Sequence, residues 1–153
     1  MVKFADMEKQ EDRLAELLVH NGLKRTLPRL KVLDILSKRD SATSQPFLEK
    51  VMGSEADRVT LYRILQTFEQ KGIIHRVLDG HGTANYALCS PNCSQHEHHD
   101  EHLHFNCSKC QRVYCLDTVR IPKFKTPLGF SVENISLTAS GLCSNCSDKS
   151  SKI

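Results

Sequence analysis

Two C-x-x-C pairs constrain this chain more than any other feature of its sequence. The first pair is Cys107 and Cys110, and the second pair, Cys143 and Cys146, lies far downstream. Two such pairs in one chain are the expected ligand set of a tetrahedral zinc–thiolate site. Buried thiols or a redox pair are the alternative, which a single pair would favour more than two separated pairs do. We therefore predict a structural Zn(II) ion held by these four sulfurs.

The distribution of cysteine also divides the chain. Cysteine is absent from the first 88 of the 153 residues, and all seven cysteines follow. This change of composition predicts two domains, residues 1–88 and residues 89–153. The odd number of cysteines and their metal-like spacing favour a reducing, cytoplasmic location. The charged N-terminus and the lack of a long apolar run predict no membrane partner.

The N-terminal part is predicted to be helical, with helices over residues 8–21, after an N-cap at Thr26, from about Ser44, and over residues 57–71. The last of these is the clearest, because Leu61, Ile64, Leu65 and Phe68 recur at i, i+3, i+4 and i+7. Its opposite side carries Arg58, Tyr62, Arg63 and Gln66, with Thr60 at the margin. Such side chains can read base edges in a major groove, although an ordinary solvated face has the same composition.

Two strand-like segments, IIHRVL and ANYAL, follow that helix and are separated by the turn-rich Asp79-Gly80-His81-Gly82. Helices followed by a hairpin predict a winged-helix domain, in which the last helix before the wing enters the groove. The net charge of +3 is too small to indicate a partner. The basic residues concentrate between positions 24 and 39, which is the pattern of either a phosphate-binding patch or a solvated helical face.

Several segments together resemble the ferric uptake regulator family: GLKRTLPRLKVLDIL, VTLYRILQTFEQKGII, HLHFNCSKC and GLCSNC, in the family's order over residues 13–146. The resemblance implies an α+β fold, with an N-terminal winged-helix DNA-binding domain and a small zinc-stapled α/β dimerisation domain. It implies a non-enzymatic, metal-dependent repressor that binds a palindromic double-stranded operator as a homodimer, with the zinc-responsive branch as one candidate. Tyr62 would contact bases, and Lys24, Arg29 and Arg63 would contact the DNA backbone or bases.

The resemblance also implies a second, regulatory metal site. His102 and His104, which alternate along a predicted strand, match two of the family's ligands. Cys115 stands where relatives usually have a carboxylate, and His96 aligns approximately with a further ligand, although His98 or His99 could replace it. Three imidazoles and one thiolate suit tetrahedral Zn(II), leave Fe(II) possible and suit Mn(II) less well.

Five positions depart from the family pattern or lie outside it. Ser41 stands where many relatives have a histidine, which leaves open whether the winged-helix domain donates a ligand. Pro122 and Pro127 argue against the helix that relatives have in that region. Cys89 and Cys93 match no ligand position.

Three other interpretations remain at this point. One is a DNA-binding protein with structural zinc only, and another is a histidine-rich segment that merely scavenges metal or is solvated. The third is a zinc-dependent hydrolase, because HEHHDEH resembles the H-x-H-x-D-H motif. In this chain the last histidine comes one place too late and the other ligand segments are missing, so no substrate beyond metal ions is expected.

Overall fold

The computed structural model describes residues 4–89, 102–133 and 135–147. Five helices lie in these ranges: α1 (Phe4–His20), α2 (Leu27–Ser37), α3 (Gln45–Met52), α4 (Arg58–Gln70) and α5 (Ser144–Ser147). Six strands lie there too: β1 (Thr43–Ser44), β2 (Ile74–Leu78), β3 (Ala84–Leu88), β4 (His102–Cys107), β5 (Val113–Arg120) and β6 (Leu137–Gly141). The α+β class is as predicted.

Local capping explains where the N-terminal helices begin. The Ser44 hydroxyl accepts a hydrogen bond from the Phe47 backbone N–H at 3.3 Å, and the Asp57 carboxylate accepts one from the Thr60 backbone N–H at 2.7 Å. Each side chain satisfies a backbone donor that has no partner inside its helix. Gly72 follows α4 with φ of +71°, a conformation that glycine adopts at no steric cost. The start of α4, the helix predicted to read DNA, is therefore well defined.

One apolar core holds the helices and the hairpin together. The buried stripe of α4 packs against α1, α2, α3 and the first residues of β2; the largest buried side chains of this core are Phe68, Leu18, Leu33, Leu48, Met52, Leu61, Leu65 and Ile74. Strands β2 and β3 form the predicted antiparallel hairpin, and the short β1 pairs with β3 on its other side. The helices and the hairpin form the predicted winged-helix arrangement.

The C-terminal sheet has the strand order β5-β4-β6. Strand β4 lies in the centre, antiparallel to β5 and parallel to β6. Residues 121–133 contain no helix, as Pro122 and Pro127 predicted. Between residue 133 and Cys143, the described residues contain one strand, β6.

The two halves of the chain contact each other beside the hairpin. The Ala42 backbone N–H donates to the Val113 carbonyl at 2.7 Å, and Val77 packs with Ala42 and Val113 in a small apolar cluster. At the tip of the hairpin, His81 Nε2 lies 3.0 Å from the side-chain oxygen of Gln111. In the described part of the chain, no helix is both long enough and apolar enough to span a bilayer.

Candidate metal centres and nucleic-acid interface

The four cysteines of the C-x-x-C pairs meet at one end of the C-terminal sheet. Cys107 ends β4 and Cys143 follows β6, and parallel neighbours deliver their C-terminal ends to the same edge. The four sulfur atoms lie within 4.8 Å of one another, and the Cys110 and Cys143 sulfurs are 3.8 Å apart. Zinc–sulfur bonds of about 2.3 Å in a tetrahedron place sulfurs about 3.8 Å apart. This sulfur cluster therefore fits a tetrahedral metal ion.

Hydrogen bonds favour the thiolate form at two of the four sulfurs, Cys107 and Cys143, whereas burial raises the pKa of the Cys146 thiol to about 12. The backbone N–H groups of Cys110 and Cys143 point at the Cys107 sulfur and lower the pKa of that thiol to about 6. The Tyr114 hydroxyl donates to the Cys143 sulfur at 3.6 Å, which lowers the pKa of the Cys143 thiol. Both effects favour the thiolate, which is the form that binds metal.

A second cluster lies between the two halves of the chain and consists of His75, His102, His104 and Cys115. One ligand atom from each of these side chains lies within 4.8 Å of the others. His102 and His104 project from the same face of β4, and Cys115 is the partner of His104 on the antiparallel β5. His75 comes from β2 of the winged helix, with its Nε2 atom 3.1 Å from the Cys115 sulfur. We call this set the interdomain cluster.

The interdomain cluster is buried and has the donor atoms of a transition-metal site. His75 and His104 are only 4% and 6% exposed. The three imidazole rings pack with centroids 4.6 to 5.5 Å apart. Imidazole nitrogen and thiolate sulfur are the ligands that Zn(II) prefers, and four of them satisfy its tetrahedral geometry. The residues present therefore fit a four-coordinate metal ion.

Sequence reasoning missed His75. The structure brings together three of the residues predicted for the second site, and His75 is the fourth member of the cluster. The positions of His96, His98 and His99 lie outside the described residues, as does Cys93. Ser41 is buried and is not part of the interdomain cluster, so the winged helix contributes to the cluster from β2.

Cys89, for which the sequence suggested no role, borders this cluster. Its sulfur lies 3.6 Å from His75 Nδ1, on the other ring nitrogen from the one that faces Cys115. His102 has a neighbour of its own, because its Nε2 atom lies 3.5 Å from a carboxylate oxygen of Asp117. Cys89, which follows β3, and Asp117, which is on β5, therefore border the cluster from the two halves of the chain.

The side chains predicted to contact DNA lie on α4 and on the neighbouring α2 and the segment before it. Tyr62 is 53% exposed on the outer face of the helix, opposite the buried stripe. Thr60, Arg63 and Arg29 line a cavity of about 270 Å³ between α2 and α4. This arrangement places basic and hydroxyl groups beside an outward-facing helix.

The two predicted residues not yet placed are Arg58, at the start of α4, and Lys24, in the segment before α2. Arg58 Nε lies 3.4 Å from a Glu49 carboxylate oxygen on α3, while most of the Arg58 side chain is exposed. Arg29 Nη1 donates to the Lys24 carbonyl at 3.0 Å, which fixes the chain just before α2. Most of the Arg58 side chain thus remains exposed at the start of α4, the helix that carries Tyr62.

Comparison with known proteins agrees with this geometry. The family model described as "Ferric uptake regulator family" matches residues 20–139. The ferric uptake regulation protein of Neisseria gonorrhoeae is 31% identical over 157 aligned positions, which cover 97% of this chain and 98% of that protein. The corresponding protein of Bordetella parapertussis is 32% identical over 137 positions, which cover 84% and 93%.

Two solved structures share the fold. A zinc uptake regulator complexed with zinc and DNA superposes with a TM-score of 0.66 at 20% identity, covering 94% of this chain and 96% of that chain. The Vibrio cholerae ferric uptake regulator gives 0.55 at 25% identity, covering 84% and 98%. The family match, the full-length relatives and the two preformed clusters agree, and the chain therefore belongs to the ferric uptake regulator family of metal-responsive, DNA-binding transcriptional regulators.

Proposed function

We propose that this regulator is a zinc-responsive repressor that binds a palindromic operator as a homodimer when a regulatory Zn(II) ion occupies the interdomain cluster. A second Zn(II) ion, held by the four cysteines, has a structural role. The single observation that supports the regulatory role most strongly is the position of His75. It comes from the winged helix, whereas His102, His104 and Cys115 come from the C-terminal sheet.

Metal binding and DNA binding would be coupled through this position. A metal ion supplies a positive charge that attracts ligands from both halves of the chain at once and so restrains their relative orientation. His75 lies on β2, and β2 begins four residues after the end of α4. Restraining β2 therefore restrains α4. Typical coupling free energies of about 1 to 3 kcal/mol correspond to a change of about 5- to 150-fold in operator affinity.

The composition of the cluster favours zinc over the other candidate metals. A thiolate and three imidazoles form a softer set than the oxygen-rich sites that Mn(II) prefers. Fe(II) is the second candidate, because it also accepts imidazole ligands. Asp117 is the one carboxylate that we find at the border of the cluster among the described residues, and its side chain is largely exposed.

Fluorescence anisotropy with the full chain and operator DNA tests this proposal. Titrations with Zn(II), Fe(II), Mn(II) or chelator should be run at one fixed salt concentration, because affinity for DNA depends steeply on salt. We expect Zn(II) to increase the affinity by at least fivefold over the chelator-treated protein. Equal affinity in every condition would refute the regulatory role and leave a DNA-binding protein with structural zinc only.

The homodimer is supported by apolar surface on the C-terminal half. Phe124, Leu128 and Phe130 are 55%, 103% and 70% exposed within a segment that has no helix or strand. Large apolar side chains that stay exposed within one segment are the material of an interaction surface. A second copy would cover them and add buried area to a half of the chain whose own core is small. Sedimentation velocity of the zinc-loaded protein should give twice the mass of one chain.

Family membership also bears on the remaining interpretations. Members of this family are transcription factors without enzymatic activity, so the hydrolase interpretation is set aside. A regulator of this kind acts where the chromosome and the metal ions are, which supports a cytoplasmic location and double-stranded DNA as the partner.

A further inference from the structure

The outer face of α4 carries one aliphatic side chain, Val59, that is not buried in the core. Val59, Tyr62 and Gln66 lie at i, i+3 and i+7 on the exposed side of α4 opposite the core, and Arg63 lies between this stripe and the cavity beside α2. Val59 lies in the first turn of the helix and is 59% exposed. The core of the winged helix therefore gains little from this side chain.

The neighbours of Val59 in the first turn face elsewhere. Arg58 is directed towards α3 by its ion pair with Glu49, and Thr60 lines the cavity between α2 and α4. Val59 is thus the first-turn residue that points outwards on the same stripe as Tyr62. When α4 enters a major groove by its N-terminal end, Val59 faces the bases, because it lies in the first turn of the helix.

The chemistry of a valine side chain restricts what it could recognise there. It has no donor or acceptor, so it cannot read the hydrogen-bonding pattern of a base pair. Among the groups on the major-groove edges, the C5-methyl group of thymine is the apolar one. Cytosine in the same place would present a polar amino group next to two methyl groups of the valine, and that amino group would lose water without gaining a partner.

From this arrangement we propose that Val59 is a specificity-determining residue that contacts the C5-methyl group of one thymine in each operator half-site. The inference rests on the proposed function, because it requires α4 to enter the major groove. It adds a base preference that hydrogen-bonding side chains of α4 do not supply. Loss of one buried methyl contact is worth about 0.8 kcal/mol, which corresponds to a loss of affinity of about fourfold.

Replacement of thymine by deoxyuridine tests the contact, since it removes the methyl group and keeps every hydrogen-bonding atom. The operator is first selected from random duplexes with the full-length, zinc-loaded protein. Each thymine of the selected operator is then replaced singly, and affinity is measured at fixed salt. For the wild type we expect one position in each half-site at which the replacement weakens binding by about fourfold.

The Val59→Ala variant should be insensitive to deoxyuridine at that position and unchanged at the others. Since Val59 is exposed and alanine is the better helix former, the variant should fold as the wild type does. Val51→Ala is the matched control, because Val51 is a partly exposed valine on α3, away from the stripe. It should keep the wild-type pattern.

Two negative outcomes are distinguishable. If the selected operator shows the same deoxyuridine pattern with Val59→Ala as with the wild type, the Val59 contact is wrong and the proposed function stands. If selection enriches no sequence at all, the groove-reading role of α4 is refuted, and the proposed function fails together with the contact.

Discussion

Removal of the His75 imidazole is the sharpest test of the interdomain cluster. The side chain is 4% exposed, its Nε2 atom lies 3.1 Å from the Cys115 sulfur, and its ring packs against the rings of His102 and His104. Four-ligand zinc sites bind with about 10 to 16 kcal/mol, or about 2.5 to 4 kcal/mol per ligand when shared equally. Because 1.4 kcal/mol is a factor of ten, we expect His75→Ala to weaken regulatory zinc binding by about 70- to 800-fold.

Competition with a chromogenic chelator measures this loss, and anisotropy with operator DNA measures its consequence. The variant should keep one zinc ion per chain, held by the four cysteines, and should lose the response of DNA binding to added zinc. His75→Gln, which retains polar volume in the buried position, separates loss of a ligand from loss of packing. His20→Ala is the matched control, since His20 is an exposed histidine at the end of α1.

Two results with His75→Ala would refute this reasoning. If His75→Ala binds the second zinc ion as tightly as the wild type does, then His75 is not a ligand. If binding is weakened but the DNA response persists, the metal does not act through the winged helix.

Three further predictions concern other parts of the molecule. Cys107→Ser should abolish the structural zinc ion and unfold the C-terminal half, seen as loss of zinc by metal analysis and rapid proteolysis there; retention of zinc would contradict the four-sulfur site. Leu128→Glu should weaken the dimer, seen as a smaller sedimentation coefficient at micromolar concentration, whereas an unchanged coefficient would remove that segment from the interface. Asp57→Ala should destabilise α4 at neutral pH. The pKa of the Asp57 carboxyl is lowered from 3.8 mainly by the Thr60 backbone N–H, so its contribution is present above pH 3.8 and is lost as the pH falls through the lower folded pKa. Urea unfolding followed by helical circular dichroism should therefore show wild type and Asp57→Ala converging only in acid.

Local rules were sufficient to predict much of the fold. The helix predicted over residues 57–71 is α4, and its buried face follows from apolar residues at helical spacing; the structure shows that Asp57 is its N-cap. The four-sulfur cluster was equally accessible, because the spacing of each C-x-x-C pair already places two sulfurs close together. For α4 and within each C-x-x-C pair, the determining contacts lie within a few residues of each other. The two pairs meet across 33 residues, and that meeting was predicted from the four ligands that a tetrahedral zinc ion requires.

The interdomain cluster could be predicted only in part. His102 and His104 share a strand face, which is a local property, but the contact of His75 with Cys115 joins residues 40 positions apart. The segment IIHRVL reads as a strand whether or not its histidine binds anything. The available signal was a titratable residue inside an apolar strand, because such a residue is buried only when it has a partner. The limits of α1, which begins at Phe4, and the two-residue β1 also depended on tertiary packing.

The contact between His81 and Gln111 connects the turn of the four-cysteine site to the tip of the wing. Gln111 directly follows Cys110, has φ of +61°, and bonds both to the Ser108 carbonyl and to the tip of the wing. A metal ion bound by the four cysteines would therefore hold the turn that contacts the tip of the wing. Under the proposed function, we expect removal of a zinc ion from the four cysteines to loosen this turn and to lower operator affinity even when the interdomain cluster holds its metal ion.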